Sequence, residues 1–455
     1  MSMDEAFVNR LVEEAGELAG DNLHLGTLEK AVETASRRYQ RQALQKLVQT
    51  VARNYPAKCP RCGRLMRTEA WRNRTIISSM GEVPFKRAYG FCDRCESWAY
   101  PADSALGLHE RAPASPRLQE LCALTVLRAP AGQAQEDLRR TNGVNLDPST
   151  LHREARRQGE RALALREADV ALTKTAKGLV QLDECALTPT APFTLIIEID
   201  AWNIRERNNW GKAEGLRRQG QDPGHWHWVY TATLFRLDQR ATTESGRPVI
   251  AERGYVATRK GIDALRDQLY AEALQRGLLK AETVLVLADG AVWIWNLAAD
   301  RFKDAMHRVD AYHVKGHLWT LAHELYGQGS AEAESWIRPL LRYLDRRQDG
   351  ALDVIESLEA LRDTVVKMTC HQREAVKREL AYFRQNKDRM DYKKGKSLGQ
   401  PIGSGAVEST CAQYQRRFKI TGQFWSLEGD EAFLALATLH RNRRWHQLFP
   451  YDLSS

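Results

Sequence analysis

The chain has no long apolar run. No uninterrupted apolar stretch approaches the roughly 20 residues that a helix needs to cross a bilayer, and the first segment is acidic and amphipathic, unlike a secretory signal. These absences argue against a membrane protein and against export. We therefore expect a cytoplasmic protein that has no membrane partner and associates with the nucleoid.

Cysteine is also scarce, with 8 residues among 455. Four are scattered, and the other four form two Cys-x-x-Cys pairs, Cys59 with Cys62 and Cys92 with Cys95. This distribution does not suit a disulfide framework and favours metal ligands in a reducing compartment. A predicted β-hairpin separates the pairs, and two such knuckles joined by strands are typical of a zinc ribbon, so we expect one structural Zn²⁺ on the four thiolates.

Acidic residues are fewer than basic ones, with 58 Asp and Glu against 67 Lys and Arg, and the formal net charge is +9. The excess favours a polyanionic partner, although charge alone does not separate DNA from RNA or from an acidic protein. Several arginines crowd the cysteine module, which either contacts phosphate or is purely structural. The length of the chain predicts two to four domains.

The first 55 residues show the apolar spacing of helices. Arg37, Arg38 and Arg41 give the second of these helices a basic side. Three interpretations remain open for this region: a solvated face, a DNA contact, or an oligomerisation element.

Residues 115–164 predict a helix-turn-helix, with helices over 117–127 and 131–140, a turn at Thr141 to Gly143, and a third helix that Asp147 can cap. The third helix suits a reader of the DNA major groove; a three-helix spacer is the alternative. A polar helical linker is expected to follow over 161–177. We assign DNA binding to three basic residues on the third helix: Arg153, Arg156 and Arg157.

Two apolar segments end on a carboxylate. Residues 283–288 are typical of a strand buried on both faces, and Asp289 and Gly290 follow it directly. Residues 194–199 form a similar strand that delivers Asp200, with Glu198 as a competing ligand on the same strand. Ligands bind at the carboxyl ends of strands in open α/β sheets, so we expect these acids to lie side by side.

A third acid, Glu408, follows the glycine turn at Gly403 and Gly405 and lies in the first turn of a predicted amphipathic helix. Three carboxylates that converge repel one another unless hard divalent cations neutralise them. Paired metals of this kind suit in-line displacement at phosphorus.

Together these motifs resemble the DDE transposases of the bacterial ISKra insertion-sequence group, which is related to the eukaryotic Mutator-like elements. The resemblance covers residues 190–445 and rests on Asp289 in Ala-Asp-Gly, on Asp310-x-x-His313 and on Gly-Ser-Gly-x-x-Glu408. It implies an RNase H-like fold and DNA strand cleavage and transfer. It also implies that Asp200, Asp289 and Glu408 are catalytic and hold two Mg²⁺ or Mn²⁺ ions, with Asp310 and His313 near the active site.

The residues and the resemblance together predict a multidomain α+β protein. The expected layout is N-terminal helices over 1–55, a zinc ribbon over 56–104, a helix-turn-helix and linker over 105–178, a catalytic domain over 179–445 with a helical insertion over about 320–398, and a tail over 446–455. A basic stretch around the third acid is expected to contact DNA through Lys393, Lys394, Lys396, Arg416 and Arg417. His313 and His317 are spaced to bind a metal, with simple packing as the alternative.

The expected function is therefore a transposase that binds the terminal inverted repeats of an insertion sequence. Its partner would be double-stranded DNA, both element ends and target, and it would act as a homo-oligomer on that DNA. A non-catalytic DNA-binding regulator derived from a transposase is the first alternative. A glycoside hydrolase with paired carboxylates is the second, but it gives no reason for the cysteine pairs or the basic stretches.

Overall fold

The structure is a computed structural model that describes residues 3–109, 112–207, 211–222, 224–246, 248–363, 368–421, 423–426 and 429–451. The chain divides into an N-terminal unit, formed by residues 1–158 together with 446–455, and a central unit, formed by residues 159–445. Among the described residues, no helix combines the length and the apolar character needed to cross a bilayer.

The N-terminal unit begins with the helices expected over the first 55 residues, α1 (Met3–Ala19) and α2 (Leu25–Asn54). The Tyr39 hydroxyl donates to the Glu14 carboxylate at 2.8 Å and joins the two helices. Small apolar residues fill the space between them because only short side chains allow the helices to approach closely. These buried residues are Ala15, Ala19, Ala31 and Ala35.

A three-stranded antiparallel sheet follows, with β1 (Arg67–Ser78), β2 (Gly81–Cys92) and β3 (Ser97–Ala99). The predicted hairpin is present, and its turn ends at Gly81, where the backbone is left-handed (φ 111°). A small core joins β1 and β2 to α2 through Val48, Ile76 and Phe85. Buried Asp103 lies within 2.6 Å of the Arg74 guanidinium and 3.0 Å of that of Arg87, so Arg74 has a structural role in this sheet.

Four helices continue the unit: α3 (Pro101–Ala105), α4 (Pro116–Arg128), α5 (Ala131–Asn142) and the start of α6 (Pro148–Leu172). The three helices predicted for the helix-turn-helix are therefore present, and Asp147 caps α6 by accepting from the Ser149 amide at 2.8 Å. The predicted turn at Thr141 is wrong by two residues. Helix α5 continues through Asn142, and Gly143 ends it in the left-handed conformation (φ 65°) that glycine adopts without strain.

Part of the basic face of α6 is engaged in an ion pair within the protein, which its sequence does not predict. Arg153 is exposed, whereas Arg157 is half-buried and donates to the carboxylate of Glu154 at 2.9 Å. Glu154 is fully buried, and burial raises its pKa while the charge of Arg157 opposes that shift. Arg157 is thus the counterion of a buried acid as well as a candidate DNA contact.

The central unit contains a mixed five-stranded sheet, in which three strands run parallel to the middle strand and one runs antiparallel to it. Its strands are β4 (Thr194–Glu206), β5 (His225–Arg236), β8 (Gly254–Thr258), β9 (Thr283–Ala288) and β10 (Met306–Val309), and a separate two-stranded sheet consists of β6 (Arg240–Thr242) and β7 (Pro248–Ile250). The order in the large sheet is β10-β9-β4-β5-β8. Pairing is parallel for β4 with β9 and for β9 with β10, and antiparallel for β4 with β5 and for β5 with β8.

Helices cover both faces of this sheet. After the end of α6, the helices of the central unit are α7 (Ala176–Glu184), α8 (Ala213–Arg218), α9 (Ile262–Gln275), α10 (Val292–Arg301), α11 (Ala311–Tyr326), α12 (Ala331–Arg346), α13 (Gly350–Asp363), α14 (Cys370–Asn386), α15 (Tyr392–Ser397), α16 (Gly405–Phe418) and α17 (Gly429–Arg441). Ile197 and Ile199 of β4 face the core shared with α9 and α10, while Ile196 faces Ala406 of α16. Alternate residues of β4 therefore pack against helices on opposite faces of the sheet. The apolar run of β9 is buried as predicted.

The segment expected as a helical insertion is helical in its described residues, and α11 to α14 share the main core. Strand β4 differs from the expectation because it does not end at Asp200 but continues to Glu206. It does so because β5 pairs with it along its whole length, from Leu195 to Glu206. The parallel pairing with β9 stops earlier, at Glu198.

The Arg157 ion pair generates a test of stability. Arg157→Ala leaves the Glu154 carboxylate buried without its counterion, so we expect a loss of about 3 kcal/mol of unfolding free energy at pH 7. Because the pKa of Glu154 is already raised in the folded protein, the folded state takes up its proton first, and the loss should shrink as the pH falls. Urea unfolding at pH 7 and pH 5 measures both effects.

Arg153→Ala is the matched control. The charge of Arg153 also lowers the pKa of Glu154, but Arg153 is exposed and water screens its charge, so the substitution should change stability by no more than about 0.5 kcal/mol. Equal effects of the two substitutions at both pH values would show that Arg157 does not compensate Glu154. A DNA-binding test of α6 is accordingly made with Arg153→Ala alone.

Candidate acid site and cysteine cluster

The four paired cysteines converge in the N-terminal unit. Their sulfur atoms all lie within 4.8 Å of one another, and the Sγ atoms of Cys62 and Cys92 are 3.6 Å apart. Cys59 and Cys92 are buried, whereas Cys62 and Cys95 are half-buried. The two pairs, which are 30 residues apart in sequence, meet because β1 and β2 return the chain to its starting point.

Both cysteine knuckles use the same backbone turn. The residue after the second cysteine is left-handed in each, Gly63 with φ 72° and Glu96 with φ 48°. In the first knuckle the backbone N–H groups of Cys62 and Arg61 donate to the Cys59 sulfur and lower the pKa of that thiol to about 6. A loop that stabilises a thiolate suits a metal ligand, and the four cysteines could hold a structural metal such as zinc.

Asp200 and Asp289 lie at the same level of neighbouring strands. Glu198 of β4 pairs with Leu287 of β9 in parallel register, and each aspartate is two residues further along its strand. Adjacent strands are about 4.8 Å apart, so the register places the two carboxylates side by side where β9 ends next to the middle strand β4. Gly290, with φ 103°, then turns the chain towards α10.

Glu408 is exposed in the first turn of α16, and two buried acids fix that turn to the sheet. The Val407 amide donates to the Glu198 carboxylate at 2.8 Å. The Ser404 hydroxyl donates to Asp310 at 2.7 Å and lies 3.2 Å from the Glu408 carboxylate. The start of α16 is thereby attached to both β4 and the end of β10, which directs Glu408 towards the two aspartates.

The three acids interact electrostatically. Burial raises the pKa of Asp200, and the charges of Asp289 and Glu408 raise it further. The Ala201 amide and the Cys411 thiol act in the opposite direction by donating hydrogen bonds to the Asp200 carboxylate. A carboxyl group held among like charges gains most from a nearby cation.

The acids do not yet form a closed ligand set. In the part of the chain that the structure describes, the four cysteines are the only group of three or more possible ligands whose donor atoms all lie within 4.8 Å. Oxygen donors from neighbouring strands and one helix nevertheless meet where β9 ends beside β4. They belong to Asp200, Asp289 and Glu408. Oxygen donors of this kind suit Mg²⁺ or Mn²⁺, which keep several water ligands and need few from the protein.

Glu198 and Asp200, the two candidates on β4, have different environments. Glu198 is buried, burial raises its pKa to about 8, and its carboxylate accepts from the start of α16. Asp200 is half-buried and within electrostatic range of the other two acids. This division favours Asp200 as the ligand and Glu198 as a structural acid.

Asp310 and His313 lie near the acid site but differ in exposure. Asp310 is buried and caps α11 by accepting from the His313 amide at 2.8 Å. The His313 side chain is exposed, and its ring centre lies 5.0 Å from that of His317. His317 pairs with buried Glu379 at 2.7 Å, which favours packing over a metal site for the two histidines.

Tyr382 is a neighbour of the acid site that the sequence did not single out. Its hydroxyl donates to the Asp289 carbonyl at 3.3 Å, and its ring stacks on His317 with ring centres 4.0 Å apart. A side chain at Gly290 would crowd this ring, because a Cβ atom there would lie 3.1 Å from the hydroxyl, and the left-handed backbone (φ 103°) also favours glycine. Only the folded position of α14 brings Tyr382 to this turn, so no local sequence pattern predicts it.

The basic residues assigned to DNA near Glu408 fall into two groups. Lys393, Lys394 and Arg416 are exposed, whereas the Lys396 ammonium group lies 3.0 Å from Asp345. Arg417 is packed inside the unit: burial lowers its pKa to about 10, and its guanidinium donates to Gln423. Its packing makes Arg417 the least suited of the five to contact phosphate.

No protein-family model matches the chain, and no curated protein matches it either. The functional argument therefore rests on the residues described above.

The cysteine cluster generates a metal prediction. Protein purified without chelator should contain about one zinc per chain, because four thiolates complete a tetrahedral site. Cys59→Ser combined with Cys62→Ser removes two ligands and should abolish the bound zinc and lower the melting temperature of the N-terminal unit. Elemental analysis and calorimetry measure these two outcomes.

Cys122→Ser and Cys411→Ser provide matched controls, since both thiols are buried outside the cluster. These two variants should keep the zinc. The prediction is wrong if the freshly purified wild-type chain contains no zinc, or if the control variants lose as much bound zinc as the Cys59 and Cys62 double variant.

Proposed function

We propose that the chain is a DDE-type DNA transposase of the ISKra group, with an RNase H-like catalytic domain in its central unit. The observation that carries the proposal is the common level of Asp200 and Asp289 on parallel neighbouring strands, with Glu408 directed towards them by α16. The mixed sheet with helices on both faces is compatible with that fold.

The proposed reaction is phosphoryl transfer on DNA. In the first step a water oxygen attacks the phosphorus at the element boundary and displaces the 3′ oxygen. In the second step the freed 3′-hydroxyl attacks a phosphorus of the target strand, and the 3′ oxygen of that target strand leaves. Asp200, Asp289 and Glu408 would hold two Mg²⁺ or Mn²⁺ ions, which supply charge stabilisation for the attacking and leaving oxygens.

The chain's own residues would set the geometry of that reaction. The two aspartates are held on paired strands, and Ser404 orients Glu408 through its contacts with Asp310 and Glu408. Rigid placement of this kind lowers the entropic part of the barrier. Tyr382 fixes the turn after Asp289 through its hydrogen bond to the Asp289 carbonyl.

DNA binding is assigned to exposed cations of both units. Arg153 on α6 would contact the terminal inverted repeats, and a second group would bind phosphate near the acids. That group is Lys393, Lys394 and Arg416. Zinc held by the four cysteines would keep the N-terminal unit folded while it binds DNA. We also propose that the protein acts as a homo-oligomer on the two element ends.

Asp289→Asn tests the catalytic proposal. The substitution removes a metal ligand and should reduce strand cleavage by more than about a hundredfold, since even outer partners of metal ligands are worth up to about that factor. DNA affinity should not fall, because a carboxylate without metal repels phosphate. Cleavage of DNA that carries the inverted repeats flanking the gene, followed on a gel with Mg²⁺, measures the first effect, and a gel shift measures the second.

Glu198→Gln is the matched control: burial raises the pKa of Glu198 to about 8, so Gln resembles its protonated side chain and can still accept from the Val407 amide. This variant should cleave within about tenfold of the wild type, whereas Asp200→Asn should be inactive. If wild-type protein binds the repeats but does not cleave them with Mg²⁺ or Mn²⁺, the chain is a DNA-binding regulator and the catalytic proposal is wrong.

A further inference from the structure

Two tryptophans are exposed on the long hairpin of the central sheet. Trp226 and Trp228 of β5 expose 58% and 54% of their surface, although tryptophan is usually well buried. They are two residues apart, so they lie on the same face of the strand at a spacing of about 7 Å. Two large aromatic rings on one exposed face mark a binding surface.

Cations accompany these rings. Arg205 of β4 pairs across the hairpin with Trp226, and its guanidinium lies 5.7 Å from the centre of that ring. The Lys419 ammonium group, beyond the end of α16, lies 5.8 Å from the same ring. Arg205 also pairs with Asp222, which neutralises part of its charge, whereas Lys419 is exposed.

A third aromatic residue extends the surface. The Trp425 amide donates to the Arg205 carbonyl at 3.3 Å and the Arg207 amide donates to the Trp425 carbonyl at 2.9 Å, so this segment lies along β4. Its neighbour Phe424 is half-buried, with the guanidinium groups of Arg205 and Arg207 at 5.3 and 4.7 Å from the ring centre. We call the whole group the tryptophan strip: Trp226, Trp228, Phe424, Arg205, Arg207 and Lys419.

The strip is separate from the acid site but belongs to the same hairpin. Trp228 pairs with Asn203, which is three residues beyond Asp200 and therefore about 10 Å further along β4. The odd separation also places Trp226, Trp228 and Arg205 on the opposite face of the hairpin from Asp200. Lys419 follows α16 and lies between the two faces, with its ammonium group 5.9 Å from the ring centre of Trp202 as well. The acid chemistry thus does not account for these exposed rings.

We propose that the tryptophan strip binds the unpaired bases of single-stranded DNA by stacking. Aromatic rings interleaved with cations suit a single strand, because every base presents a π-face to a ring while its phosphates meet the positive charges. An apolar protein surface would leave the exposed ammonium group of Lys419 without a counterion, and duplex phosphates would gain nothing from the rings. The proposal rests on the proposed function and deepens it by naming the form of DNA that the central unit holds on the same hairpin as Asp200.

Binding of a fluorescently labelled thymidine oligonucleotide of about 15 nucleotides tests the strip. The assay uses the full chain without added Mg²⁺ or Mn²⁺, so it does not depend on cleavage. Trp226→Ala and Trp228→Ala should each weaken binding by about tenfold. An abasic oligonucleotide of the same length has the phosphates without the bases, and its affinity should change less than about twofold in these variants.

Lys419→Gln separates charge from stacking. It should weaken both oligonucleotides alike and lower the salt slope of binding by up to about one. Trp71→Ala is the matched control, because Trp71 is equally exposed on β1 of the other unit; it should change neither affinity. Trp228→Phe retains a ring and should recover most of the affinity, which keeps the test valid if Trp228→Ala folds poorly.

Three outcomes would overturn the proposal: equal losses on the normal and abasic strands, unchanged affinity in both tryptophan variants, or a change in self-association without a change in DNA affinity. The last outcome would make the strip an interface between proteins. Strand cleavage by these variants and by Asp289→Asn is measured separately, so failure of the strip is distinguishable from failure of the catalytic proposal.

Discussion

The attachment of the first turn of α16 to the sheet is the contact on which the acid site depends. Glu408 is exposed and has no strand to define its direction, so its position follows from what fixes its helix. Glu198 accepts from the Val407 amide, and Asp310 accepts from the Ser404 hydroxyl. A helix N-terminus carries partial positive charge, so two buried acids beneath it are stabilised by the helix that they hold.

The same attachment concentrates acidic groups in a small volume. Burial together with the charges of Asp289 and Glu408 raises the pKa of Asp200, and burial raises the pKa of Glu198 to about 8. Glu198 can keep its proton and still accept from Val407, so it adds little to the repulsion among Asp200, Asp289 and Glu408. A divalent cation would relieve the repulsion among these three acids. For this reason we assign the metal to Asp200, Asp289 and Glu408 and not to buried Glu198.

Local patterns predict the parts of the site that local chemistry determines. The apolar run before Asp289, the glycine after it and the spacing of Cys59, Cys62, Cys92 and Cys95 all predict what the structure contains. Contacts between distant segments were not predictable in this way. The role of Arg157 depends on the burial of Glu154, and the approach of Tyr382 to Gly290 depends on the packing of α14.

The sequence pattern also does not predict that β4 extends beyond Asp200 to Glu206. Contacts at the outer end of the strand stabilise this extension. Glu206, at the end of β4, is fully buried and receives two hydrogen bonds from Arg259, at 2.6 and 2.9 Å. Asp430 of α17 lies beside the same guanidinium, and burial together with the charge of Glu206 raises its pKa to about 9. One arginine balances one carboxylate, so Asp430 retains its proton near neutral pH and the cluster carries no net charge. This hydrogen-bonded anchor and the buried rings of Trp202, Phe418 and Trp425 together fix the outer end of the hairpin, and with it the strand positions of Arg205 and Trp226.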